Sequence, residues 1–100
     1  MDFREWLYAE NLEDLTPPEK SVLATAYHIL HRSLSSHQTM QRILKKVVDI
    51  NPKLKKKAFN ELVSNMFLRK HPTKKSTTYE LTRKGLKAAD KHIREDSNNL

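Results

Sequence analysis

One hundred residues carry 19 Lys and Arg against 12 Asp and Glu, a formal net charge of +7, with 37% hydrophobic residues and no cysteine. That length suits one domain with a modest core, the missing cysteine excludes disulfide staples and thiolate metal sites, and no apolar run approaches a membrane span. The lone Gly85 excludes the phosphate-cradling loops and dinucleotide fingerprints that need several glycines at fixed spacing, and it argues against a turn-rich β-barrel.

From the N-terminus, Met1-Asp2-Phe3-Arg4-Glu5 lacks the basic-then-apolar order of a secretory signal. The expectation is a soluble, cytoplasmic protein. Phe3, Trp6 and Leu7 share one side at helical spacing, which predicts a short amphipathic helix within residues 1–15. Thr16-Pro17-Pro18-Glu19 is a capping box with proline at the first helical position, so a helix should run from Pro17 to about Arg32. Ser33-Leu34-Ser35-Ser36 interrupts the pattern. A serine there can cap a helix from His37 to Val48, with Met40, Ile43, Leu44 and Val47 inward. Asn51 and Pro52 then start another helix, to about Asn65, whose expected apolar side is Leu54, Ala58, Phe59, Leu62, Val63 and Met66. Two helices joined by so short a break form a helix-turn-helix candidate.

Beyond Asn65, a candidate left-handed cap, the period changes. Phe67–Lys70 and Thr77–Leu81 read as strands around the polar loop His71-Pro72-Thr73-Lys74-Lys75-Ser76. Thr82 can cap a last helix, Arg83 to about Arg94, with Leu86, Ala89 and Ile93 inward, and residues 95–100 read as a polar tail that frays. The order helix, helix, turn, helix, strand, basic loop, strand, helix predicts a mainly α fold with a small β-hairpin. That is a winged helix-turn-helix, with one domain over residues 1–100 and its core at about 17–94.

Charge is unevenly spread. Residues 1–20 hold six acids against Arg4 and Lys20, whereas residues 42–75 hold eleven bases against Asp49 and Glu61. Such a patch is the footprint of a polyanion binder, or a solvated lysine-rich face that keeps the chain soluble. On the helix from Pro52, the residues Lys53, Lys56, Lys57, Asn60 and Ser64 follow i, i+3, i+4, i+7 and i+11 and share the face opposite the apolar one. Cations in a first turn oppose the helix dipole, which costs stability and points to a use beyond solubility. Lysine is a point charge, so Lys53, Lys56 and Lys57 suit phosphates. Asn60 can pair with adenine N6 and N7 or can be an ordinary solvated amide, and Ser64 can bond several base edges. Arg42, Lys45 and Lys46 on the preceding helix, and Arg69, Lys70, Lys74 and Lys75 on or beside the hairpin, would neutralise backbone on either side.

The stretch Tyr79-Glu80-Leu81-Thr82-Arg83-Lys84-Gly85-Leu86 after a helix-turn-helix resembles the Y-x-L-T-x-x-G closing element of prokaryotic and archaeal MarR-like transcriptional regulators. The resemblance covers roughly residues 17–94. It implies that Pro52–Asn65 is the recognition helix, that the loop around Pro72–Ser76 is the wing, and that the partner is duplex DNA. It also implies a homodimer, which here would use Phe3, Trp6 and Leu7 together with Leu86, Ala89 and Ile93. The N-terminal aromatics Phe3, Trp6 and Tyr8 most simply cap the chain's own core, the alternative being an exposed patch that meets a second copy.

Other chemistry finds little support. His28 and His31 are i, i+3 on one helix with His37 near in sequence, but without cysteine or an acidic ligand at helical spacing no metal and no cofactor is expected. No Ser/His/Asp order and no paired carboxylate in an apolar setting supports catalysis. Alternatives that share the same face are a winged-helix module for RNA or protein partners and a DNA-architectural protein of low specificity.

Overall fold

A computed structural model describes residues 15–98. The expected N-terminal helix, with Phe3, Trp6 and Leu7, lies outside the described residues. Four helices and one hairpin follow in chain order: α1 (Pro17–Ile29), α2 (Met40–Lys45), α3 (Pro52–Ser64), β1 (Leu68–Pro72), β2 (Thr77–Leu81) and α4 (Arg83–Asn98). Among the described residues no helix is long and apolar enough to cross a membrane.

The α1 start is the expected capping box. Thr16 Oγ1 accepts from the Glu19 amide at 3.3 Å and donates to the Glu19 carboxylate at 2.8 Å. Its end comes earlier than Arg32. His31 and Arg32 both take positive φ, 55° and 57°, and the Arg32 amide closes back on the Tyr27 carbonyl at 2.9 Å. No glycine marks this left-handed turn, so periodicity ran past it.

The second helix is corrected more deeply. It spans Met40–Lys45 rather than 37–48, and its N-cap is Thr39, whose hydroxyl accepts from the Arg42 amide at 3.2 Å. Gln38 is held in an extended bridge to β2, its N–H and C=O both paired with Tyr79 at 3.0 and 2.7 Å. A residue committed to a sheet cannot open a helix, so the start moves three residues on, from His37 to Met40. At the other end Val47 is buried but lies beyond the helix, in the turn that Asp49 reverses at φ 63°.

Asn51 caps α3 as its sequence predicts, its Oδ1 accepting from the Lys53 amide at 2.8 Å. Ala58, Phe59 and Leu62 are the buried face of α3, and Val63 is half-buried beside them. Leu54 and Met66 are not part of that face, being 49% and 54% exposed. Leu54 instead lines a shallow groove with Thr16, Pro18 and Glu61. Asn65 is not the left-handed residue either. Its φ is −93°, and Met66 takes φ 65° instead, so that the Phe67 amide reaches the Leu62 carbonyl at 2.9 Å.

β1 and β2 pair antiparallel with Leu68 opposite Leu81, Arg69 opposite Glu80 and His71 opposite Thr78. β1 therefore starts one residue later and ends two later than expected, and the loop shrinks to Thr73–Ser76. Thr73 closes it, accepting from the Ser76 amide at 3.1 Å and donating to the Ser76 carbonyl at 2.7 Å. α4 is longer than expected and continues through Asn98. One core joins all elements: Val22, Leu23, Ala26 and Leu30 from α1, Ile43 from α2, Phe59 and Leu62 from α3, Leu68 and Leu81 from the hairpin, and Ala88 and Ala89 from α4. Phe59 meets Tyr79 edge-on at 4.7 Å, which ties α3 to the sheet.

Candidate nucleic-acid interface

With Ala58, Phe59 and Leu62 turned into the core, the helical period sends Lys53, Lys56, Lys57, Asn60 and Ser64 to the opposite face, and all five are exposed. The fourth lysine of the run takes a different path. Lys55 points toward α2 and is half-buried, and its Nζ donates to the Leu44 carbonyl at 3.1 Å. It thereby sets a cation against the C-terminal end of α2, where the carbonyls welcome one. Its spacing of three and four residues from Ala58 and Phe59 is the signal that marks it as inward, and counting lysines alone conceals it.

Arg42, Lys45 and Lys46 are exposed on and just after α2, so the turn between α2 and α3 is flanked by cations from both helices. On the hairpin, Lys70, Lys74 and Lys75 are exposed, the last two at its tip. Arg69 is exposed but already engaged. Its Nε and Nη2 each lie 2.9 Å from Oε1 of the cross-strand Glu80, whose side chain is only 13% exposed. A phosphate must compete with that carboxylate for Arg69. The pairing depends on strand register, so residue spacing alone could not reveal it.

The expected dimer residues on α4 divide. Ala89 is spent in the chain's own core, and Leu86 and Ile93 pack partly against it. Among the described residues no group of three or more His, Cys, Asp or Glu side chains is placed to hold a metal ion.

The arrangement of helix-turn-helix, hairpin and closing helix matches solved structures. An apo-form mutant of ZitR from Lactococcus lactis superposes with a TM-score of 0.64 at 19% identity, over 96% of this chain and 67% of that one. The adhesin competence repressor AdcR from Streptococcus pyogenes gives 0.62 at 22% identity, over 95% and 66%. F-93 of SSV1 gives 0.57 at 22% identity, over 82% and 98%. The fold is the winged helix. This winged helix spans about two thirds of the length of ZitR and AdcR and nearly all of F-93. No protein-family model and no curated protein sequence matches it.

In winged-helix terms, α2 and α3 are the helix-turn-helix and β1–β2 with its Lys74-Lys75 tip is the wing. Gln38 adds one bridge of a third strand to β2. The Tyr79–Gly85 motif now has physical content. Tyr79 packs on Phe59, Leu81 is buried, Thr82 caps α4 through the Gly85 amide at 3.0 Å, and Gly85 lets α4 close on the start of the wing.

Proposed function

We propose that this winged helix binds duplex DNA as a transcriptional regulator, with α3 in the major groove and the basic wing on the backbone. One observation carries the reading: Lys53, Lys56, Lys57, Asn60 and Ser64 are exposed together on the face of α3 opposite its buried one. In this geometry the N-terminal half of the helix brings three ammonium groups to phosphates. Asn60 and Ser64, one and two turns further on, are the side chains able to bond base edges. Arg42, Lys45 and Lys46 neutralise backbone on one side of the groove. Lys70, Lys74 and Lys75 do so on the other, joined by Arg69 once it leaves Glu80. The likeness in fold to a protein named as a repressor supports the regulatory part. A homodimer pairing two such helices would use the half-buried Leu86 and Ile93 of α4 together with residues 1–14.

Direct binding tests this reading. Anisotropy of a labelled random-sequence duplex is followed from about 50 to about 300 mM salt, with single-stranded RNA as competitor. Contact with six to eight phosphates gives a log–log salt slope of about −5 to −7. The triple variant Lys53→Glu, Lys56→Glu, Lys57→Glu should abolish that binding while keeping its fold. Duplex binding untouched by the variant, or lost to the RNA competitor, would refute the assignment of α3.

A further inference from the structure

Toward the tip end of the wing's two strands, two imidazoles lie face to face. His37, in the extended stretch before α2, and His71, near the end of β1, have ring centroids 4.3 Å apart and planes 19° from parallel. Thr78 of β2 links them. Its hydroxyl donates to the His71 carbonyl at 2.5 Å and sits 3.0 Å from His37 Nδ1. A hydroxyl has one proton to give. With that proton on the His71 carbonyl, the oxygen can only accept from His37, so Nδ1 of His37 carries the hydrogen. Neutral His37 therefore keeps its bare lone pair on Nε2, and it can add a proton there without breaking the Thr78 bond.

The second ring has an acid beside it. His71 Nδ1 lies 3.6 Å from Glu80 Oε2, while Arg69 holds the other oxygen of that carboxylate. Residues 33–39, which bring in His37, contain no other charged side chain. On the hairpin, Glu80 of β2 lies beside His71 and is itself held by Arg69 of β1, and the hairpin's remaining charges are Lys70, Lys74 and Lys75. The rings do not form a metal clamp, because near-parallel imidazoles aim their lone pairs side by side instead of at a common point.

A proton on His71 would face the Glu80 carboxylate. A second would set two cations within a few ångströms, where they repel. An anion against the exposed ring edges removes that repulsion. We propose that the His37–His71 stack takes up a proton when duplex DNA binds, so that the wing's hold on the phosphate backbone tightens as pH falls. The proposal rests on the DNA-binding reading above. Its sign follows from linkage: the bound state holds more protons than the free state, so affinity rises as pH drops, by at most about tenfold per pH unit for each proton.

Duplex binding is measured at fixed salt at about pH 8, 7 and 6, the range in which imidazole ordinarily titrates. The proteins are wild type, the double variant His37→Asn, His71→Asn, and a control, His28→Asn, altered on the exposed side of α1. Asparagine keeps an N–H near the place of Nδ1 and cannot take up a proton. Wild type and control should gain about five- to tenfold in affinity from pH 8 to pH 6, with a salt slope steeper by about 0.9. The double variant should show neither change. Duplex binding with one pH profile in wild type and double variant overturns the inference and leaves the DNA-binding reading standing. No duplex binding at any of these pH values overturns that reading, and the inference with it. Should the double variant unfold, imidazole titration of wild type by NMR decides. The midpoints of His37 and His71 rise on adding duplex if the proposal holds, and midpoints that stay put overturn it.

Discussion

A Cβ on Gly85 would lie 1.9 Å from the carbonyl oxygen of Phe67, well inside the distance any carbon can approach. Gly85 has no positive φ, so its role is close approach rather than backbone freedom. The same carbonyl accepts the Thr82 amide at 3.3 Å. The first turn of α4 is therefore seated on the backbone where α3 hands over to the wing, and only hydrogen fits between them.

Gly85→Ala is expected to destabilise the fold, although alanine is the better helix former by about 1 kcal/mol. The neighbour is backbone, which cannot swing aside as a side chain can. A net loss of about 1–3 kcal/mol follows from overpacking, seen as a fall in Tm of about 4–8 °C per kcal/mol for a domain of this size. A Tm that rises would show that α4 can shift away from Phe67 at no cost.

Thr82 should be nearly as sensitive. Its hydroxyl accepts from the Gly85 amide at 3.0 Å and donates toward the Met66 carbonyl. Thr82→Val keeps the shape and leaves both backbone groups without that partner, which costs about 1–2 kcal/mol. Thr82→Ser retains the hydroxyl and should recover most of the loss. Chemical denaturation of the two variants separates the hydrogen bonds from the packing of the methyl group.

How far the residues announced this fold depends on where the deciding force is local. The caps at Thr16, Asn51 and Thr82 were legible because a capping side chain and its helix lie within a few residues. The element order, the hairpin and the exposed face of α3 were legible from changes of period. What was not legible was set by partners distant in sequence. Gln38 is drawn into the sheet by Tyr79, and Arg69 is engaged by Glu80. Lys55 is turned inward by the end of α2. The left-handed residues His31, Arg32, Asp49 and Met66 lack the glycine that usually signals such turns.

The displaced start of α2 gives a direct test of that account. Thr39→Ala should cost about 1 kcal/mol, since it removes the bond from the Arg42 amide. Ser36→Ala should cost little, because no helix begins beside it. Equal effects of the two substitutions in thermal unfolding would return the cap to the serine cluster.

The sharpest contrast lies between adjacent lysines of α3. Lys56 is exposed on the proposed DNA face, and Lys55 spends its ammonium on the Leu44 carbonyl. If both faces are assigned correctly, the two charges obey different physics. Lys56→Met should reduce the log–log salt slope of duplex binding by about 0.9, the share of one phosphate contact, and leave stability nearly unchanged. Lys55→Met keeps the apolar stem but loses the bond to α2, so it should lower stability by about 0.5–1.5 kcal/mol. Its salt slope should match wild type, because that charge never reached a phosphate. A reduced slope for Lys55→Met would mean that the ammonium leaves Leu44 for the DNA, and the division of labour along this helix would have to be redrawn.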